Sequence, residues 1–183
     1  MANELDRSVY MESVSGIYLR MIRDEDTDMV VAWRNSSDVR KRFLYRADFT
    51  PESHRRWLRD VIGTGKALQM IICDLHTDKP LGSVYIRDID RENRKAEFGI
   101  FIGEPSARGR GVGTAAARLM LRYCFCEMGL HRVYLRAIAD NLQAIRSYEK
   151  AGFRKEALLR DDVLLDGKYC DIVLMGILEE ENK

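Results

Sequence analysis

Arg108-Gly109-Arg110-Gly111-Val112-Gly113-Thr114 lies between a strand-like run and a run of helical spacing, and its reading decides the fold. Glycines let the backbone approach a ligand closely, and amides exposed at a helix N-terminus point at an anion that the helix dipole favours. The stretch therefore predicts a pyrophosphate cradle built from residues 108 to 114, with a tight strand-to-helix connection as the plain alternative. A dinucleotide-binding turn would need GxGxxG on a first strand-helix turn and an acid about 20 residues on, and a P-loop would need Gly-Lys-Ser/Thr. Neither spacing occurs here.

Immediately upstream, Lys95 to Ile102 alternates Ala96, Phe98, Ile100 and Ile102 on one face with Glu97, Gly99 and Phe101 on the other. Both faces look partly buried, so this strand is expected to be central. Leu68–Leu75 and Leu81–Ile89 flank the turn Thr77-Asp78-Lys79-Pro80 and read as an antiparallel pair. Further upstream, Ile17 to Ile22 has strand length. Asp24-Glu25-Asp26-Thr27 offers capping side chains for a helix carrying Met29, Val30 and Trp33 and ending near Asn35. Thr50-Pro51-Glu52 predicts an N-cap, a first-position proline and a first-turn acid for a helix running to Ile62, ended by Gly63 and Gly65.

Downstream, Thr114 to Met128 carries Ala116, Leu119, Met120 and Tyr123 at helical spacing, and Val133 to Ala139 reads as a strand. Leu142 to Ala151 is a short helix closed by Gly152, and a hairpin turning at Asp166-Gly167 ends near Leu178. The order βααβββαβαββ predicts an α/β (α+β) protein with a mixed sheet flanked by helices.

The chain has 183 residues and a mass of 21.2 kDa, so one domain over 1–183 with its core at about 17–178 is expected. Hydrophobic residues make up 46% of it, which suffices for a core and excludes disorder as the main state. Its 30 Lys+Arg against 29 Asp+Glu leave a net charge of +1, so neither a nucleic-acid nor a membrane partner is expected from global charge. The opening MANELDRSVYMESVSG lacks the basic head and apolar run of an export signal, and no apolar run reaches the ~18 residues of a membrane span. Cys73, Cys124, Cys126 and Cys170 have no CxxC spacing, so no metal site is expected, and buried free thiols suit a reducing cytoplasm.

Asp140-Asn141-Leu142-Gln143-Ala144-Ile145-Arg146-Ser147-Tyr148-Glu149-Lys150-Ala151-Gly152-Phe153 follows the Val133–Ala139 strand directly. Together with the glycine loop it resembles the GNAT family of acyl-CoA-dependent N-acetyltransferases. That family's Arg/Gln-x-x-Gly-x-Gly/Ala loop is matched by Arg108, Gly111 and Gly113. Its Asn, followed seven residues later by Tyr and then Gly-Phe, is matched by Asn141, Tyr148, Gly152 and Phe153. The resemblance extends from Ile17 to about Leu178 and is nearest the branch of ribosomal-protein N-terminal, spermidine and amino-sugar acetyltransferases. It implies acetyl-CoA as cosubstrate and a mostly antiparallel sheet whose central strands splay apart. It also implies that backbone groups of Ile100, Phe101 and Ile102 bond the pantetheine arm as an added strand would. Arg108 and Arg110 would add contacts to phosphate, and Asn141 would belong to the same cofactor site.

In such chemistry an amine attacks a thioester and a thiolate departs, so a neutral amine, an oxyanion donor and a proton for the sulfur are needed. Tyrosine, with a reference pKa near ~10, keeps its proton at neutral pH and can donate it. Tyr148 is the expected general acid, against plain core packing beside Ile145. Glu97, an acid in an apolar central strand, is the expected base or water-positioner, against an ion pair with Arg94 or Arg136.

The acceptor is expected to be a primary amine on a small molecule. Between Arg34 and Arg59 the chain holds eight bases (Arg34, Arg40, Lys41, Arg42, Arg46, Arg55, Arg56, Arg59) against Asp38, Asp48 and Glu52, interleaved with Trp33, Phe43, Tyr45, Phe49 and Trp57. This is either a solvated helix face or an anion-and-ring site suited to a nucleotide-linked amino sugar. A polyamine or protein N-terminal amine is the second choice, a non-catalytic acetyl-CoA-binding module the third, and a homodimer is left open.

Overall fold

The computed structural model describes residues 11–12 and 16–182, so most of the opening stretch read above for an export signal lies outside the described residues. Eight strands form one sheet: β1 (Met11–Glu12), β2 (Ile17–Met21), β3 (Leu68–Asp74), β4 (Pro80–Asp90), β5 (Lys95–Ile102), β6 (Arg132–Ile138), β7 (Arg154–Leu165) and β8 (Lys168–Leu178). Their spatial order is β1-β2-β3-β4-β5-β6-β8-β7. Every neighbouring pair is antiparallel except β5 and β6. The helices are α1 (Thr27–Asn35), α2 (Ser37–Arg40), α3 (Pro51–Trp57), α4 (Val112–Arg122) and α5 (Leu142–Ala151).

Period-two side-chain alternation divides the core between the two faces of the sheet. Met70, Ile72, Val84, Ile86, Ala96 and Phe98 pack with Leu119 and Met120 of α4 and Ile145 of α5. The residues between them face the other way, where Ile71, Cys73 and Phe101 pack with Val30 and Trp33 of α1 and Val39 of α2. Both faces of β5 are therefore covered, as the alternation at 95–102 predicts.

From Ile17 onward the element order holds, with three local differences, and the short strand β1 pairs ahead of it where no strand was expected. Asp26 does not cap α1, because its carboxylate accepts a forked pair of bonds from Arg20 (2.7 and 2.8 Å) and one from the Arg23 amide (2.8 Å). A short helix, α2, follows Ser36, a serine whose side chain is spent on the Trp33 carbonyl. The two longer predicted helices finish in π-helical turns at Leu58–Ile62 and Tyr123–Glu127. Thr50 does cap α3, accepting from the Ser53 amide at 3.1 Å. Asp166 and Gly167 turn the last hairpin in left-handed conformations, with φ of 49° and 81°.

Candidate active site

The parallel ladder between β5 and β6 is short. Lys95, Ala96 and Glu97 face Arg132, Val133 and Tyr134, and beyond Glu97 the two strands part, leaving Phe98 to Ile102 without a ladder partner on that side. The expected splay is present, and it opens into a cavity of about 990 Å³. Gly111, at the mouth, has φ of 82° and precedes α4, whose first turn receives no side-chain cap. The Ala115 amide is the first to find a helical acceptor, Gly111 O, so the amides of Val112, Gly113 and Thr114 have none. An uncapped helix start beside an open strand edge fits the pyrophosphate and pantetheine arm of acetyl-CoA.

The predicted cofactor residues are not used alike. Ile100, Phe101, Ile102, Gly109, Gly111, Val112, Gly113, Thr114 and Asn141 all line the cavity. Arg108 lines it too, but its guanidinium turns back onto the Ile102 and Gly103 carbonyls (both 3.2 Å) and Asp38 (3.1 Å), bracing the loop rather than projecting toward a phosphate. Arg110 is exposed between the two left-handed glycines 109 and 111 and does not reach the wall. The Asn141 side chain caps α5 through the Ala144 amide at 3.4 Å. Ser147, not singled out from sequence, joins α5 to the start of α4 through Thr114 Oγ1 at 2.8 Å.

Tyr148 stands on the cavity wall, edge-on to Phe98 (6.1 Å) and Phe153 (6.0 Å). Packing against the core and a place on the cavity wall are thus both true of it. Burial raises its pKa, with nearby Tyr85 adding to the effect, so the phenol stays protonated.

On the opposite sheet face the floor of the cavity is polar where its neighbours are apolar. Gln69, Tyr85, Arg87 and Glu97 alternate with core residues along β3, β4 and β5, Arg136 joins them from β6, and Ser83 lies behind Gln69, bonded to it at 2.9 Å. Tyr85 can lie across β5 because Gly99 opposite has no side chain; a Cβ there would sit 2.3 Å from the ring. Glu97, only 5% exposed, is held by Arg87 Nη2 at 2.9 Å and by Arg136 Nε at 3.2 Å and Nη2 at 3.4 Å. The ion-pair alternative is what the geometry shows, with Arg87, its direct cross-strand neighbour, in place of Arg94. Both carboxylate oxygens therefore accept bonds from guanidinium groups.

The roof comes from α1, the 43–49 loop and α3. Of the eight bases between Arg34 and Arg59, only Arg34 and Arg42 reach the cavity. Arg40, Lys41, Arg46, Arg55, Arg56 and Arg59 pair on the surface with Asp48, Asp38, Asp166, Asp24, Glu52 and Asp60. The solvated-face alternative therefore holds for most of that segment. Phe43, Tyr45, Phe49 and Trp57 line the cavity, whereas Trp33 packs on Phe101 in the core.

Comparison with known proteins agrees with this geometry. The family model described as an acetyltransferase (GNAT) domain matches residues 17–154. Spermidine N(1)-acetyltransferase of Escherichia coli (strain K12) is 27% identical over 184 residues, covering 93% of this chain and 90% of its own. An uncharacterized N-acetyltransferase, p20, of Bacillus licheniformis is 28% identical over 167 residues, covering 89% and 93%. The crystal structure of spermidine N-acetyltransferase from Vibrio cholerae in complex with CoA and spermine superposes with a TM-score of 0.86 at 24% identity, over 92% of this chain and 98% of that one.

Proposed function

Because this chain belongs to the GNAT acetyltransferase family and is an acyl-CoA-dependent N-acetyltransferase acting on an amine, we propose that its acceptor is a nucleotide-linked amino sugar. One observation carries the choice: every carboxylate on the cavity wall is already paired with a base. Asp38 holds Lys41 and Arg108, Asp48 holds Arg40, and Glu97 holds Arg87 and Arg136. A polyamine needs carboxylates for its several ammonium groups and meets unpaired Arg34 instead, whereas a sugar diphosphate gains charge-assisted bonds and ring surfaces from the same wall. The polyamine reading is favoured by relatives named for spermidine, and it is the one to test against.

Acetyl-CoA supplies the activated acetyl thioester. The amides of Val112, Gly113 and Thr114 would hold its pyrophosphate, and the unladdered edge of β5 would align its arm. Tyr148, kept protonated by burial, would give its proton to the departing sulfur, and the nitrogen would lose its own proton to water in the open cavity, through which Tyr148 is reprotonated. Glu97 would fix Arg87 and Arg136 in the floor rather than take the amine's proton. That suits a sugar amine, whose electron-withdrawing neighbours make it less basic than a polyamine and leave more of it neutral. The test is a thiol-release assay with product mass, run over amine-bearing sugar nucleotides, spermidine and N-terminal peptides. Turnover of a sugar nucleotide is expected; turnover of spermidine alone would overturn the choice of acceptor.

A further inference from the structure

Among the described residues, two buried side-chain polar atoms lack a hydrogen-bond partner, Arg34 Nη1 and His54 Nε2, and both residues line the cavity described above. Buried polar atoms are almost always satisfied, so a pair of orphans on one wall marks where a ligand's polar atoms belong.

Arg34 is held without any acid. Its guanidinium carbon lies 3.3 Å from the centroid of the Phe43 ring and 4.5 Å from that of Phe49. Rings on its faces leave the in-plane N–H groups as its means of bonding, and these suit an oxyanion. Burial lowers its pKa to about 10, which leaves the group charged at neutral pH. His54 is 3% exposed, and its Nδ1 is 3.1 Å from Thr27 Oγ1, so Nε2 is the ring nitrogen left without a partner. Burial lowers the pKa of this ring as well, so it is a neutral partner rather than a second cation.

α1 carries both Arg34 and the residue that holds His54. Thr27, which holds His54, and Arg34 are seven residues apart on one helix face, roughly 10 Å along its axis. A ligand satisfying both orphans must offer an anionic group to Arg34 and a hydrogen-bonding group to a neutral imidazole. α1 covers the sheet face opposite α4, so this position is distinct from the amides at the α4 N-terminus.

We propose that Arg34 and His54 form the acceptor subsite, Arg34 Nη1 donating to a phosphoryl oxygen and His54 Nε2 bonding a sugar hydroxyl. The identity of that ligand rests on the amino-sugar reading; the anion subsite at Arg34 does not.

The test is calorimetry on the CoA-saturated protein with two probes, inorganic pyrophosphate and UDP-N-acetylglucosamine, a sugar nucleotide with no free amine. The wild type is expected to bind both. Arg34→Gln should weaken both by about 10- to 100-fold, as loss of a charge-assisted bond does, while CoA affinity and melting temperature stay unchanged. His54→Gln should weaken only the sugar nucleotide. Should Arg34→Gln melt early, Arg34→Lys keeps the charge but loses the planar fork, and it should still bind more weakly than the wild type. Pyrophosphate binding that depends on Arg34, without sugar-nucleotide binding, supports the anion subsite and overturns the amino-sugar reading. Binding of either probe that is indifferent to both Arg34 variants, or no binding of either to the wild type, overturns the subsite.

Discussion

Replacing Tyr148 with phenylalanine removes one hydroxyl and leaves the ring that Phe98 and Phe153 hold at 6.1 and 6.0 Å. No hydrogen bond contributes to the shift of the hydroxyl's pKa, which burial dominates, so the fold should lose little, within about 0.5 kcal/mol. The rate should lose more. General acid catalysis contributes about 10²- to 10⁴-fold, and a thiolate, being a good leaving group, places this case near the low end. A ~100-fold fall in kcat, about 2.7 kcal/mol of barrier, is expected. Because burial raises the pKa above its usual value of 10.0, Tyr148 stays protonated through pH 7 to 9 and the wild-type rate should show no alkaline fall in that window. Steady-state thiol release at saturating acetyl-CoA gives kcat, calorimetry gives cofactor affinity and a thermal melt checks the fold. A folded Tyr148→Phe protein with wild-type kcat, or one whose whole loss is in cofactor affinity, would refute the proton-donor role.

Gly111→Val forces a β-branched residue into φ of 82°, costing about 1 to 3 kcal/mol and disturbing the uncapped start of α4; calorimetry should show weaker acetyl-CoA binding. Glu97→Gln leaves Arg87 and Arg136 facing each other without the charge between them, so the melting temperature should fall while the shape of the pH-rate profile stays that of the wild type. Loss of the acidic limb in a folded variant would instead make Glu97 the base. Asp26→Asn breaks a forked pair in which Arg20 keeps 19% side-chain exposure, and about 2 to 3 kcal/mol of stability should go with it in urea melts at pH 7. Burial opposes ionisation of Asp26, but the Arg20 fork and the Arg23 amide outweigh it and lower its pKa. The contribution is therefore present above the unfolded value of 3.8 and lost as pH falls through the folded one, so the variant should soften less on acidification than the wild type.

What the sequence made legible were features written in local chemistry. The left-handed Gly111, the Thr50 cap with Pro51, the Asp166-Gly167 turn and the alternation from Lys95 to Ile102 each depend on a few adjacent residues. Partners brought together by the sheet were harder to read. Glu97 and Arg87 are ten residues apart and meet only because β4 and β5 pair in that register, and Arg136 arrives from a third strand. Arg108 was legible as part of the loop but not as its brace, since its partner Asp38 is 70 residues away.

The proposed acceptor chamber carries the same lesson one step further. An excess of eight bases over three acids in the 34–59 segment pointed to an anion site, yet surface pairing removes six of those bases from the cavity. What that segment leaves on the wall is Arg42, bonded to Gln143, and Arg34, stacked on the Phe43 and Phe49 rings, while Arg87 and Arg136 come from strands whose sequence reads as core. A charge tally weighs every arginine alike, whereas recognition depends on which one the fold leaves without an acid. The signal that could have located the floor was present in another form, as Gln69, Ser83, Tyr85 and Arg87 recur at every second position in otherwise apolar strands. Polar residues on the inward face of a covered strand are costly unless something uses them. Trp57, Gln69, Ser83 and the Met70 carbonyl satisfy one another in a chain of bonds at 3.2, 2.9 and 3.0 Å, and Arg87 is taken by Glu97. Among the described residues the buried side-chain polar atoms left over are Arg34 Nη1 and His54 Nε2, so the proposed chamber is marked by what its own residues fail to satisfy rather than by its total charge.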